Sequence, residues 1–556
     1  MRAGTRRDIS MGQEAAVELL RGKRAPVGGV LASNGPDAWT AFDEEVRRIG
    51  RRSYEPLRSK RIEARLCDPD GRVRASALVA WGLPPLKVFL LWHVSWVPLL
   101  RRRVRQELRW AAGPPLELVV LRCADWAPPV RGRARRVLGR AVAKDPAGWL
   151  VRLTPLILRL SRREHGAWAL EQLEAALSGR YSLLAAWWHP GRPSTTWSWN
   201  ALTAAQRGLI LDRLHRSADP LTRRFAARLA LEIGGIGGVG GVGGIGGIGV
   251  RELAWRAASE PDPAAARLWT DAALRAMADD GPDHAAIDAL LDANSPTVRA
   301  AGVTALRRAG RAAEAPWYLA DRSGLVRACA RWLVSQDGGD PSAHYTALVT
   351  DAGQVSRYAV TGFSECAERA DAPLLRPLLG HPSAGVRAAA VAGLRRLDDA
   401  TDDALLLPLL DDPSASVSRE AARSLIPAVL RLDEGHLAER IAPERPLHVR
   451  RAAFRLLCVP GGIRELRAAV TVSKDPDPVL RHAARAIVLD WDWEFTLRTR
   501  KAELPELNAL LTHSEQVFRP YDLWLRRSRL GLTGCTACGC GCDCAGPGPV
   551  SPVEIR

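Results

Sequence analysis

SPTVRAAGVTALRRAG (residues 295–310), PSAGVRAAAVAGLRRL (382–397) and PSASVSREAARSLI (413–426) are three copies of one pattern. Four residues after a shared valine anchor the side chain is small, and eight residues after it the side chain is apolar. Positions i, i+4 and i+8 lie along one face of an α-helix, so each copy predicts a helix with one buried stripe. Weaker copies extend the series at intervals of 28 to 32 residues, with anchors at Val298, Val326, Val355, Val386, Val417, Val449 and Val479.

A second, leucine-rich segment precedes each of these helices, as in AAIDALLDA (285–293) and TDDALLLPLLDD (401–412). The turn between the two carries a capping residue and a proline, as at Asp475-Pro476, and both are suited to starting a helix. One helix pair cannot bury its apolar face alone, whereas stacked pairs bury a continuous core. The sequence therefore predicts an all-α fold built from stacked antiparallel helix pairs.

The Asp-Pro turn, the Val-Arg pair and the small and apolar columns resemble the HEAT-repeat family, and within it the PBS-lyase HEAT-like repeats. The resemblance is clear over residues 251–493 and patchier before them, as in CDPDGRVRASALVAWG (67–82). It implies an α-solenoid, a superhelix of the HEAT/armadillo type. This architecture serves many unrelated tasks, so the resemblance implies no particular activity.

Composition divides the chain into predicted segments. The run GGIGGVGGVGGIGGIG (234–249) holds too much glycine for a helix and predicts a linker or loop, since it lacks the Lys-Ser/Thr of a phosphate-binding loop. The predicted order is an N-terminal helical extension (1–55), a basic and irregular HEAT-like segment (56–233), the glycine-rich linker (234–250), a regular repeat array (251–493), a C-terminal helical cap (494–530) and a disordered Cys/Gly/Pro-rich tail (531–556).

An arginine follows each anchor from Val298 onward by one or two residues. One interpretation is a structural ladder, in which each arginine pairs with a turn acid or with carbonyl groups of the adjacent repeat. The other is a cationic stripe along the concave face. Turn acids such as Asp412 and Asp475 are close enough in sequence to favour the ladder. The predicted ladder residues are Arg299, Arg327, Arg387, Arg419, Arg450 and Arg481.

Positive charge is concentrated in the N-terminal half. The net charge is +18, while residues 1–250 hold 41 Lys/Arg against 21 Asp/Glu. This asymmetry predicts an anionic partner for that half, or else a solvated arginine-rich surface encoded by GC-rich codons. Helical spacing places two groups of arginines on common faces. They form a predicted partner-binding stripe of Arg101, Arg105, Arg109, Arg133, Arg136 and Arg140.

The basic half also contains several tryptophans, and Asp125 stands beside Trp126. In composition this is similar to the HEAT-like DNA glycosylases, which hold a damaged base with Trp and Asp in a concave cleft. That similarity would imply nucleic-acid binding, with or without base excision. Tryptophan in a HEAT helix is more often part of the core.

Five cysteines crowd into the tail with the spacing C-x2-C-x-C-x-C-x-C. Clustered thiolates favour soft metals such as Cu(I), Zn or Cd, and the spacing resembles metallothionein clusters. The alternative is a low-complexity tail without a metal. The candidate ligands are Cys535, Cys538, Cys540, Cys542 and Cys544.

The remaining cysteines are scattered singly, which is typical of reduced thiols and predicts a cytoplasmic protein. We expect no signal peptide, because the N-terminus lacks an apolar core segment. The most apolar stretch, Val88 to Leu100, is shorter than the roughly 20 residues that span a bilayer.

No common catalytic motif stands in the sequence. GxSxG, HExxH and a phosphate-binding loop are all absent, as is the His-Glu dyad of HEAT-like di-iron enzymes. We therefore predict a non-enzymatic scaffold that mediates protein–protein interaction and has no resident cofactor. Nucleic-acid binding by the basic half is the alternative, and the oligomeric state stays open.

Overall fold

The computed structural model describes residues 3–21, 31, 35–52, 62–80, 115–178, 202–234, 247–399, 402–491 and 504–529. Its regular elements in these ranges are α-helices and short 3-10 helices, which confirms the predicted all-α class. The helices form two compact units, Met1–Gly310 and Arg311–Arg556. The segment boundaries predicted from composition stay a prediction.

The first unit contains helices α1 to α14. In chain order they are α1 (Ala3–Leu20), α2 (Pro36–Arg52), α3 (Ile62–Leu66), α4 (Gly71–Ala80), α5 (Leu116–Cys123), α6 (Pro128–Lys144), α7 (Pro146–Leu160), α8 (Ala167–Ser178), α9 (Ala204–His215), α10 (Pro220–Gly234), α11 (Val250–Ser259), α12 (Pro263–Asp279), α13 (His284–Leu291) and α14 (Pro296–Arg308).

The second unit contains α15 to α26 together with 3-10 helices. The α-helices are α15 (Gly324–Gln336), α16 (Pro341–Thr350), α17 (Arg357–Cys366), α18 (Ala384–Arg396), α19 (Asp403–Leu406), α20 (Ala415–Leu425), α21 (Glu434–Arg440), α22 (Leu447–Cys458), α23 (Gly462–Val472), α24 (Pro478–Asp490), α25 (Leu504–His513) and α26 (Pro520–Arg529). The 3-10 helices are Ala312–Tyr318, Arg369–Leu374, Pro377–Gly380, Leu407–Asp411, Ile426–Ala428 and Glu515–Val517.

Consecutive helices pair, and the second helices of successive pairs pack against one another. In the first unit α5 pairs with α6, α11 with α12 and α13 with α14, while α12 also packs against both α10 and α14. In the second unit α17, α18, α20 and α22 contact one another in series. Stacking of this kind buries the apolar stripes that a single pair would leave exposed.

Aspartate and proline start several helices, as the sequence predicted in type, but in the last repeat the pair is Asp477-Pro478 and not the predicted Asp475-Pro476. Asp262, Asp283 and Asp477 precede α12, α13 and α24, and each side chain accepts a hydrogen bond from a backbone N–H in the first turn of its helix. Proline follows directly at Pro263 and Pro478, where no N–H is needed. These local signals set where α12, α13 and α24 begin.

Small residues in the second helices permit close approach by the first helices. A Cβ atom added at Gly302 would lie 3.0 Å from the side chain and the backbone nitrogen of Leu291 in the paired helix. Ala330, Ala390 and Ala453 occupy the same column and are buried. The column of small residues is therefore a packing requirement between paired helices.

The predicted anchor is wrong in the last repeat. Val479 is exposed, whereas Leu480, Ala484 and Val488 are the buried residues of α24. The stripe is displaced by one residue because Val479 and Leu480 are both apolar, so the sequence pattern alone does not choose between them. Arg481 consequently follows a buried residue directly, as the arginines of the other ladder repeats do.

Helices on the two sides of the glycine-rich run pack together. Helix α10 ends at Gly234 and contacts α12, which begins at Pro263. Arg224 on α10 forms a bidentate ion pair with Asp262, with nitrogen–oxygen distances of 2.8 and 2.9 Å. The repeat stacking therefore continues across this run, most of which lies outside the described residues.

Candidate binding surfaces

A single hydrogen-bonding geometry recurs at the N-terminal ends of the second helices. In seven of those that the structure describes, the arginine Nη1 donates to the carbonyl oxygen six residues earlier, at distances of 2.5 to 2.9 Å. This bond ties the turn to the helix it precedes. The seven residues are Arg74, Arg131, Arg223, Arg299, Arg327, Arg387 and Arg481.

The other side of several of these guanidinium groups meets an acid of the following repeat. Arg387 donates through Nε and Nη2 to the two carboxylate oxygens of Asp412, both at 2.8 Å. Arg74 contacts Asp125 in the same bidentate manner at 2.9 Å. Each such arginine therefore links its own turn to the next repeat. Further pairs of this kind are Arg223–Glu260 and Arg327–Glu365. Arg450, which bonds to the carbonyls of Pro443 and Arg445 instead, pairs with Asp475.

The acids in these pairs also hold their own turns. Asp412 Oδ1 accepts the Ser414 N–H at 2.7 Å, and Asp475 Oδ1 accepts the Asp477 N–H at 2.8 Å. Burial acts to raise the pKa of Asp412, but the hydrogen bonds from Arg387 and the Ser414 N–H outweigh it and lower that pKa. In another repeat the Nδ1 atom of His381 accepts the equivalent N–H, from Ser383 at 3.0 Å.

Five of the six predicted ladder arginines lie beside a buried anchor and bond to turn carbonyls. These are Arg299, Arg327, Arg387, Arg450 and Arg481. Arg419 does not take this geometry, contrary to the prediction. Its side chain is 61% exposed and its nearest acid is the adjacent Glu420, at 4.0 Å. The residue after the anchor Val417 is the buried Ser418, so the ladder position in this repeat holds no arginine. The structural role of the five stays a prediction.

The predicted partner-binding stripe is only partly described. Arg101, Arg105 and Arg109 lie outside the described residues. Arg133, Arg136 and Arg140 share one face of α6, which carries six basic residues and no acid. Arg131 and Arg135 of the same helix are held by backbone carbonyls. Within the described residues no acid pairs with the cationic face, which we define as Arg133, Arg136, Arg140 and Lys144.

A groove adjoins the cationic face at the N-terminal ends of α4 and α6. Its volume is about 740 Å³, and Arg72, Ser76, Trp126, Val130 and Arg133 contribute to its lining. The Trp126 side chain is 68% exposed. We call this feature the Trp126 groove. The sequence pointed to Trp126 only through its place beside Asp125 in the basic half, because a buried or an exposed ring fits the repeat pattern equally well in this turn.

Asp125, beside Trp126, is not available to a ligand. Its carboxylate is fully buried and accepts hydrogen bonds from Arg74 at 2.9 Å and from Arg122 at 3.1 Å. Arg122 in turn pairs with the buried Asp43, and burial raises the pKa of Asp43. The glycosylase-like alternative needs an acid in the cleft, and Asp125 does not supply one.

A second exposed surface lies on α15 in the second unit. Leu325 and Trp332 are 50% and 43% exposed, and Ala328 lies exposed between them. The spacing i, i+3, i+7 places all three on one helix face, which we call the α15 apolar stripe. The preceding 3-10 helix, Ala312–Tyr318, packs against α15 and carries the exposed Trp317. The repeat pattern does not reveal this surface, because the pattern identifies only the buried column through Val326.

The tail cysteines Cys535, Cys538, Cys540, Cys542 and Cys544 lie outside the described residues, so the soft-metal hypothesis stays a prediction. Within the described ranges, no group of three or more His, Cys, Asp or Glu residues is placed to hold a metal ion. The five described cysteines are free thiols. Burial raises the pKa of one of them, Cys458, to about 12. None of the helices in the described ranges has the length and apolar character needed to cross a bilayer.

Comparison with known proteins identifies part of the repeat array. Residues 346–426 match a family model described as HEAT repeats. No curated protein sequence matches the chain. One solved structure, titled as the structural basis of tubulin recruitment and assembly by microtubule polymerases with TOG domain arrays, is 12% identical. The match covers 83% of this chain and 99% of that one, with a TM-score of 0.20.

Proposed function

Because the chain contains HEAT repeats over residues 346–426, we propose that it is a non-enzymatic scaffold that binds a protein partner through the α15 apolar stripe. The observation that carries the proposal is the exposure of Leu325 and Trp332 on one face of a well-packed helix. Large apolar side chains grouped on a surface are typical of protein interaction sites, and tryptophan is among the residues that contribute most to binding.

The arrangement around the stripe supports binding rather than chemistry. On another face of α15, Arg327 and Arg331 both pair with Glu365, so their charges are engaged within the second unit. Tyr345 donates its hydroxyl hydrogen to the Leu319 carbonyl at 2.8 Å, and burial raises its pKa to about 12. These groups fix the helix on which the stripe is displayed.

The test is affinity capture from native cytosol, the compartment that the scattered free thiols favour, with the tagged full-length protein. Capture is run with and without nuclease for the wild type and for the double variant Leu325→Ser/Trp332→Ser. We expect discrete protein partners that survive nuclease and that the double variant loses. Leu430→Ser is the matched control, because Leu430 is also in the second unit and is 79% exposed.

Two results would contradict the scaffold proposal. The first is equal capture of the same proteins by the double variant and the wild type. The second is loss of all captured proteins on nuclease digestion, which would show that nucleic acid bridges them. Circular dichroism of each variant checks that helix content is unchanged.

A further inference from the structure

The cationic face of α6 is regular and unneutralised within the described residues. Arg133, Arg136, Arg140 and Lys144 are spaced three, four and four residues apart, so they lie along one side of the helix over roughly 16 Å. Most arginines of the repeat array have an acid or a carbonyl partner, as Arg387 and Arg450 do. A row of cations that no acid of the described residues neutralises favours a ligand that carries negative charge at regular intervals.

The Trp126 groove continues this row at its N-terminal end. Arg133 belongs to both features. Arg72 lies across the groove on α4, and Asp70 also lines the groove, where its carboxylate accepts the Arg72 N–H at 2.8 Å. The guanidinium of Arg74 lies 5.9 Å from the centroid of the Trp126 ring and is itself fixed by Asp125. The indole is thus held at its turn while most of its surface faces outward. Proteins that bind single-stranded nucleic acids combine an aromatic ring, on which a base stacks, with a positively charged surface that contacts the phosphates.

From these two features we infer that the Trp126 groove and the cationic face bind single-stranded nucleic acid. A base stacks on Trp126, and the following phosphates lie along Arg133, Arg136, Arg140 and Lys144. A duplex fits less well, because its bases are already stacked on one another. An acidic peptide would satisfy the cations, but its carboxylates offer no aromatic face to Trp126. This site and the α15 apolar stripe lie on different helices, so the inference can be tested independently of the proposed scaffold function.

The experiment measures fluorescence anisotropy of a labelled oligothymidylate of about twelve nucleotides with the full-length protein. We expect Trp126→Leu to weaken binding about tenfold, because one base–aromatic stack is lost. Trp126→Phe should restore part of that loss. For the wild type, the logarithm of affinity should fall with the logarithm of salt concentration with a slope near −3, roughly −0.7 for each of four cations.

Neutralising the cationic face tests the second half of the inference. Arg136→Gln/Arg140→Gln should reduce the salt slope by about 1.4 and weaken binding at low salt. The matched control is Arg396→Gln/Arg455→Gln, which removes the same charge from two exposed positions on α18 and α22 in the second unit. Thermal unfolding of every variant establishes that the fold is intact.

Three outcomes would overturn the inference. The first is absence of measurable binding at low salt, and the second is an equal loss of affinity in the control variant. The third is that duplex DNA or polyglutamate displaces the labelled oligonucleotide as well as unlabelled single-stranded DNA does, and that Trp126→Leu does not change this competition. The third outcome would identify the surface as a general polyanion or acidic-protein site. A preference for single-stranded nucleic acid that depends on both Trp126 and the α6 arginines supports the inference.

Discussion

At the scale of single residues, His215 is an imidazole held in a neutral state. It lies on α9 against Trp269 of α12, with ring centroids 5.2 Å apart, and its Nε2 atom has no hydrogen-bond partner among the described residues. Burial lowers its pKa to about 4, helped by Arg256 on α11 and opposed by Asp212 on its own helix. The folded protein therefore disfavours a proton that the unfolded chain accepts near pH 6.5.

The first prediction concerns the pH dependence of stability. The neutral His215 contributes fully to the free energy of unfolding above pH 6.5. This contribution is lost as the pH falls from 6.5 towards 4, because only the unfolded chain binds the proton in that range. On acidification, the free energy of unfolding of His215→Phe, which keeps the contact with Trp269, should decrease by about 1 to 3 kcal/mol less than that of the wild type. Urea unfolding at pH 7.5 and pH 5 measures it.

The control for this measurement is His284→Gln, because His284 is exposed at the start of α13. The wild type and the control should lose stability in parallel on acidification, while His215→Phe loses less. If all three proteins respond alike, His215 is not a source of the pH dependence.

At the scale of the helix pair, the arginine ladder joins one repeat to the next. Arg387 bonds to the carbonyls of His381 and Pro382 and to the carboxylate of Asp412. We expect Arg387→Ala, Asp412→Ala and the double variant to give a coupling free energy of about 1 to 3 kcal/mol, because the pair is largely buried and bidentate. Chemical unfolding of the four proteins provides the cycle.

The pair Arg376–Asp399 is a matched comparison in the same unit. Its nitrogen–oxygen distance is also 2.8 Å, but the arginine is half exposed. An exposed ion pair is screened by water, so the same cycle should give less than about 1 kcal/mol. Equal coupling energies for the two pairs would mean that the ladder contributes nothing beyond an ordinary surface ion pair.

Sequence periodicity predicted the helix pairs well because burial imposes it directly. The buried column through Val298, Val326, Val386, Val417 and Val449 could be seen from spacing alone. The prediction from spacing failed at Val479, because the adjacent Leu480 is also apolar and is the residue that is buried. The binding surfaces were harder to predict, since exposure at Trp126 or Trp332 depends on where neighbouring helices end. A single sequence gives the period of the repeat but not which apolar side chains stay uncovered.

At the scale of the whole molecule, the glycine-rich run raises the question of continuity. The first unit includes the described helices on both sides of residues 235–246. Phe225 and Leu229 of α10 and Ala265 and Trp269 of α12 are buried. Two ion pairs, Arg223–Glu260 and Arg224–Asp262, add to the contact between these sides. Packing of this kind holds polypeptide segments together whether or not the chain between them is intact.

The last prediction follows from that packing. A protease recognition sequence inserted between Gly240 and Gly241 should allow cleavage without separation, so both fragments should elute together in size-exclusion chromatography. Arg223→Ala/Arg224→Ala should raise the protein concentration that is needed to keep the cleaved fragments associated, because two ion pairs between the two sides are lost. Separation of the cleaved wild-type fragments at micromolar concentration would contradict continuous stacking, because the covalent connection rather than the α10–α12 contact would then hold the two sides together.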